Sequence, residues 1–152
     1  MKIITVIGKR NTLKTTLITK VYNEIQKNGI LQFYKFEGAD KQDFKALVKW
    51  NDKKIAFCSI GDPADPKHIP FEYILRGLVF ASKNEADILI NAYSKSFKPE
   101  KGIDEFPLAL YEDIINIHKD NKLYIPIEID DKKGLQTQFD ENFTKILNEI
   151  SK

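Results

Sequence analysis

At 152 residues the chain has the size of one domain with a single core, and 42% hydrophobic with 30% charged residues is an ordinary globular composition. No apolar run approaches the roughly 20 residues that a membrane span needs, residues 1–7 carry no cleavage-site pattern, and the single cysteine, Cys58, cannot form an internal disulfide, so a cytoplasmic location is expected. The formal net charge of +2 hides an asymmetry, because residues 1–60 hold 12 Lys/Arg against 5 Asp/Glu whereas residues 61–152 hold 12 against 17.

Residues 2–7 form a nearly unbroken apolar run, which predicts a strand covered on both faces. A helix is expected over 14–28, with Leu17, Ile18, Val21, Tyr22 and Ile25 at helical spacing and Asn28-Gly29 as a left-handed stop. A second strand at 30–36 completes β-loop-α-β, for which parallel strands and a right-handed crossover are the natural closure. Residues 43–50 and 53–60 read as a hairpin about Asn51-Asp52, both of which tolerate positive φ. Three prolines exclude regular structure from 61–70. An amphipathic helix at 71–83 presents Phe71, Ile74, Leu75, Leu78 and Val79 on one face, and 86–93 is a core strand. A polar loop over 94–106 leads into a helix through about His118, with Pro107 in its first turn. In the last strand, 123–129, Pro126 cannot donate to a ladder and predicts a sheet edge or a bulge. A helix over 135–150 closes the chain, with Leu135, Phe139, Phe143, Ile146, Leu147 and Ile150 inward. This alternation predicts one three-layer α/β/α domain over residues 1–152, built on a mainly parallel sheet plus an antiparallel hairpin.

Chemistry concentrates between the first strand and the first helix. Gly8-Lys9-Arg10-Asn11-Thr12-Leu13-Lys14-Thr15 departs from the phosphate-loop pattern G-x-x-x-x-G-K-[ST] only at Leu13. Such a loop works because backbone N–H groups gather at the positive end of a helix dipole. A first-turn lysine then reaches the terminal phosphates and the next hydroxyl takes Mg²⁺. These roles fall on residues 9–14 as the amide cradle, on Lys14, and on Thr15. The basic first third either surrounds such an anion or is a spread of solvated lysines. No basic block interleaved with aromatics is present, which weighs against nucleic acid. At Leu13 glycine would let the backbone pass close to phosphate without a Cβ. If the position needs positive φ, leucine costs on the order of 1–2 kcal/mol and its side chain is expected to turn to the core.

The run Gly8-Lys9, four residues, then Lys14-Thr15-Thr16 resembles the deviant Walker A loop of the partition-ATPase, septum-site-ATPase and nitrogenase-iron-protein group of P-loop NTPases. Arg10, Asn11 and Leu13 stand where that loop has glycines. The resemblance implies a P-loop fold, cofactor binding by Gly8, Lys9, Arg10, Asn11, Thr12, Leu13, Lys14, Thr15 and Thr16, and catalytic roles for Lys14 and Lys9. In that group the extra lysine, here Lys9, crosses a homodimer interface to the partner's nucleotide. It further implies ATP, in preference to GTP, with Mg²⁺ as the cofactors.

For a metal-holding acid the candidate strand is 54–60. Ser59 occupies the place where the family motif would put its aspartate, and Asp62, with Asp65 behind it, is the nearest acid; Thr15 and Asp62 are therefore the expected metal ligands. Asp62 is alternatively a turn residue ahead of Pro63, and Gly61 could offer an N–H to a γ-phosphate. Guanine selection would need an aspartate that Asn91-Ala92-Tyr93-Ser94-Lys95 lacks. Cys58, His68 and His118 form no nucleophile or metal pattern. The leading expectation is nucleoside triphosphate binding with slow hydrolysis or a nucleotide-dependent switch. The alternatives are a non-catalytic interaction protein with its own protein partner on a degenerate P-loop fold, a small kinase using 62–70 and 94–106, or a plain strand-to-helix turn capped by Thr12.

Overall fold

The computed structural model describes residues 1–9, 12–37, 42–60, 70–96, 102–103, 105–130 and 132–152. Along the chain run β1 (Lys2–Gly8), α1 (Lys14–Gln26), β2 (Ile30–Glu37), β3 (Asp43–Trp50), β4 (Lys53–Cys58), α2 (Pro70–Lys83), β5 (Ile88–Ser94), α3 (Glu105–Asp120), β6 (Tyr124–Glu128) and α4 (Leu135–Ser151). All six strands form one sheet in the order β2-β3-β4-β5-β1-β6. β1 is parallel to β5 and β6, and β4 to β5, while β2-β3 and β3-β4 are antiparallel.

Side chains on a strand alternate between faces, so β1 feeds two cores. Ile4 and Val6 join Leu17, Val21 and Ile146 beneath α1 and α4, whereas Ile3 joins Ile74, Leu78, Tyr111 and Ile115 beneath α2 and α3. The layering is thus helices on both faces of a mixed sheet, as the alternation of elements predicts.

The β3-β4 hairpin closes on Asn51 and Asp52 at φ 47° and 61°, the pair of positive values that a two-residue type I′ turn requires. Pro126 lies on β6 at the sheet's edge, where its missing donor costs no ladder bond. β2, expected to close a simple β-α-β unit, runs in the direction of β1 but at the opposite edge. Antiparallel pairing keeps β2, β3 and β4 adjacent, and the hydrogen bonding of β4 to β5 pushes β2 outward.

Three side-chain expectations change. Val79 is 64% exposed, because the stripe of α2 is Ile74, Gly77, Leu78 and Ala81, with Gly77 lying close on Cys58. Leu135 is exposed in the first turn of α4. Gly29 does not take positive φ; a Cβ there would stand 2.5 Å from Val48 Cγ1 and 2.8 Å from the Ile25 carbonyl oxygen. That glycine is needed for close approach to β3, not for a left-handed helix stop. Among the described residues no helix is long and apolar enough to cross a membrane.

Candidate phosphate-binding site

β1 and β5 are neighbours whose onward connections leave on opposite faces, α1 on one and α3 on the other. The crevice beyond the carboxyl ends of two such strands is the place where open α/β sheets take ligands. The loop after β1 lies there, tied down by Lys95 N–H donating to the Gly8 carbonyl at 2.9 Å and Ile129 N–H to the Ile7 carbonyl at 2.8 Å.

Gly8 is required by packing, since a Cβ would come 2.4 Å from Thr12 Oγ1 and 3.4 Å from Ile129 Cβ. Thr12 is buried and does not cap α1; its hydroxyl donates to the Lys9 carbonyl at 2.7 Å. The capping position belongs to Leu13, at φ 62° and ψ 21°, with no side-chain cap bond. The backbone here therefore has the left-handed conformation that glycine serves in a phosphate loop, adopted by leucine. The Leu13 side chain is 41% exposed and points away from the core, contrary to expectation, so the strain is not offset by full burial. Leu13→Gly should release about 1 kcal/mol of that strain, partly offset by the greater freedom of glycine in the unfolded chain. A rise in melting temperature of about 1–4 °C is expected by calorimetry, and an unchanged or lower value would contradict it.

Lys14 begins α1 with its side chain only 5% exposed, and Nζ donates to the Lys9 carbonyl at 2.5 Å. A buried ammonium is costly unless it is held by acceptors, and the loop backbone supplies one. Thr15 follows with Oγ1 donating to Asp43 Oδ1 at 3.0 Å and lying 3.5 Å from the Ser59 carbonyl oxygen. Ser59, fully buried, donates through Oγ to the same Asp43 oxygen at 3.0 Å and accepts from Phe44 N–H at 2.8 Å. Thr15, Asp43 and Ser59 thus form one hydroxyl–carboxylate cluster beside the buried Lys14.

Asp43 is the residue that sequence reasoning missed. The expected acid lay beyond the carboxyl end of β4, where Ser59 stands. In an antiparallel hairpin, however, the start of β3 lies at that same end. The signal was present: a two-residue turn at 51–52 pairs Trp50 with Lys53, and that register carries Lys45 to Cys58 and brings Phe44 alongside Ser59.

The other expected site residues divide clearly. Lys9 is exposed on the loop and Thr16 is exposed on α1. Arg10, Asn11, Gly61, Asp62, Asp65 and His68 lie outside the described residues. Asn91 cannot face a base: it is 2% exposed, its Oδ1 accepts from Thr5 Oγ1 at 2.8 Å, and its buried Nδ2 finds no partner among the described residues. Cys58 is buried, and burial pushes its thiol up to about 12, which suits a core residue and not a nucleophile. His118 Nδ1 lies 2.8 Å from the Ile114 carbonyl oxygen within α3. On the opposite face of the sheet, Tyr93 and Tyr111 stack at 5.9 Å in the wall of a cavity of about 360 Å³ that also touches Ile7, Asn116 and Tyr124.

The donor chemistry of the cluster suits a hard cation. Two hydroxyls and one carboxylate are oxygen ligands, and one carboxylate matches an ion such as Mg²⁺ that keeps water and takes phosphate oxygens. No group of three or more His, Cys, Asp or Glu that could cage a metal occurs among the described residues. Fold and site together define a mixed-sheet α/β domain with a lysine-bearing strand–loop–helix junction and an acid placed on its first-turn hydroxyl. Comparison with protein-family models, with curated proteins and with solved structures gave no match.

Proposed function

We propose that this chain binds a nucleoside triphosphate together with Mg²⁺ at the β1–α1 junction, in the manner of a P-loop NTPase, with ATP favoured over GTP. The observation that carries this reading is the bond from Thr15 to Asp43. A structural turn needs no acid there, whereas a phosphate site needs one beside the hydroxyl that follows its lysine. In this reading Lys14 turns from the Lys9 carbonyl to the β/γ-phosphates. Thr15 and Asp43, steadied by Ser59, hold the metal, whose chemistry is to neutralise charge on the phosphates. Loop N–H groups cradle the anion at the α1 N-terminus, and Lys9 reaches the nucleotide in cis or from a second copy. The preference for ATP rests on the missing guanine-gripping aspartate and on the engagement of Asn91 by Thr5.

Asp43 already accepts from two hydroxyls and serves the metal side better than it would serve as a general base. The output is therefore slow hydrolysis or a binding-driven switch. Calorimetric titration with Mg-ATP, Mg-GTP and metal-free ATP tests the proposal. The wild type should bind Mg-ATP with Kd well below about 1 mM. Asp43→Asn, which keeps the shape and removes the charge, should lose about tenfold or more in Mg-ATP affinity and leave metal-free ATP unaffected. A wild type that binds neither triphosphate below about 1 mM overturns the reading.

A further inference from the structure

The cavity of about 360 Å³ beneath α3 has no part in the nucleotide reading. It rests on Ile7 and Tyr93 at the carboxyl ends of β1 and β5, on the face of the sheet opposite α1. Its aromatic members stand out in the core they join. Ile3, Leu78 and Leu89 fill that core with plain aliphatic packing, whereas Tyr93, Tyr111 and Tyr124 carry hydroxyls into it. The Tyr111 and Tyr124 hydroxyls bond to each other and to Thr5. Thr5 gives its own proton to Asn91 Oδ1 at 2.8 Å, so its oxygen accepts from the tyrosines. A buried polar chain of this kind is costly to desolvate, and it fixes the rings it ends on. Tyr111 and Tyr93 lie parallel, with 3° between their planes. The result is a rigid amphipathic wall, which binds small molecules with little loss of side-chain freedom.

Charge identifies the occupant. Glu112 and Lys119 both line the cavity and stand seven residues apart on α3. That spacing puts them on one face of the helix, about 10.5 Å apart along its axis, where they do not neutralise each other. Among the described residues neither forms an ion pair. Lys119 Nζ stands over the Tyr124 ring at 5.5 Å, which marks one end of the cavity. Burial, and after it the Glu112 carboxylate, raises the Tyr93 phenol, which marks the other. A ligand that answers both charges carries a cation at the Tyr93 end, where ring and carboxylate favour it. It carries an anion at the Tyr124 end, beside the Lys119 ammonium. A single amino acid is too short for this, since one residue spans at most about 3.5 Å, whereas three extended residues span about 10–11 Å.

We propose that this cavity binds a short zwitterionic peptide of about three residues, with its ammonium at Glu112 and its carboxylate at Lys119. The site is independent of the nucleotide reading, because it lies across the sheet from the cluster of Thr15, Asp43 and Ser59.

The probe is the tripeptide Ala-Phe-Ala, whose central ring suits the aromatic wall, titrated calorimetrically into the whole chain beside its N-acetylated and C-amidated forms. The free tripeptide should bind with Kd below about 1 mM, and each blocked form about three- to tenfold more weakly. Glu112→Gln should bind the free and N-acetylated forms alike while still discriminating against the amide, and Lys119→Met should do the reverse. Both side chains are exposed, so circular dichroism should be unchanged. The comparison of peptide forms within one variant is a readout that a loss of stability does not move. Asp43→Asn should bind the tripeptide as the wild type does. A wild type that fails to bind it below about 1 mM overturns the proposal, as does binding indifferent to both blocking groups. A loss of binding in Asp43→Asn would move the peptide to the phosphate site and overturn it as well.

Discussion

Lys14→Met should weaken Mg-ATP binding by about 10- to 100-fold while leaving the melting temperature at or above that of the wild type. The size of the loss follows from the 1.5–3 kcal/mol typical of a hydrogen bond to a charged group. Methionine keeps most of the aliphatic stem, so the packing of a residue that is almost fully buried is retained. The uncharged side chain no longer carries the desolvation cost of an interior ammonium. The Lys9 carbonyl, deprived of the lysine, still accepts from Thr12 Oγ1 at 2.7 Å. Opposite movement of binding and stability is the signature of a residue placed for a ligand. Titration calorimetry and a thermal scan on the same preparation give both readouts. A variant that binds as tightly as the wild type would place the site elsewhere, and one that binds equally but melts low would make Lys14 a structural residue.

Gly29→Ala should be among the most damaging single-methyl changes in the chain, costing about 2–3 kcal/mol and lowering the melting temperature by about 5–10 °C. The added Cβ would meet Val48 Cγ1 at 2.5 Å, the Ile25 carbonyl oxygen at 2.8 Å and the Lys49 carbonyl oxygen at 3.2 Å. Two of these are backbone atoms in a helix end and a strand, which cannot rotate aside as a side-chain tip can. Removing the Val48 methyl in the double variant Gly29→Ala/Val48→Ala should therefore recover little. A thermal or urea denaturation series over the wild type, the single variant and the double variant decides it. Full recovery in the double variant would put the whole conflict on the valine side chain and contradict the backbone assignment.

The parts of the fold that depend on local chemistry were legible. β1, the polar loop and α1 follow from an apolar run, a glycine and a helical stripe within 25 residues of one another. Asn51-Asp52 announced its turn, and Pro126 announced an edge. What failed depends on distant pairing. β2 is expected to close a β-α-β unit with β1, but nothing in its own residues says that β3 and not β1 is its neighbour. Asp43 was passed over for the same reason: its role arises from register across a hairpin, 28 residues after the Thr15 hydroxyl it meets. Gly29 looked like a helix stop because glycine often is one, and only the approach of Val48 reveals its other use. At Leu13 the question was posed by the sequence and answered by the backbone, which keeps the left-handed turn in spite of the side chain.

The bond from Thr15 Oγ1 to Asp43 Oδ1 also ties together parts of the chain that are far apart in sequence. It joins the first turn of α1 to the first residue of β3, and Ser59 Oγ, donating to the same oxygen, adds the segment that leaves β4. One carboxylate oxygen thus pins the helix start to both arms of the hairpin, so a change at Asp43 reaches three elements at once.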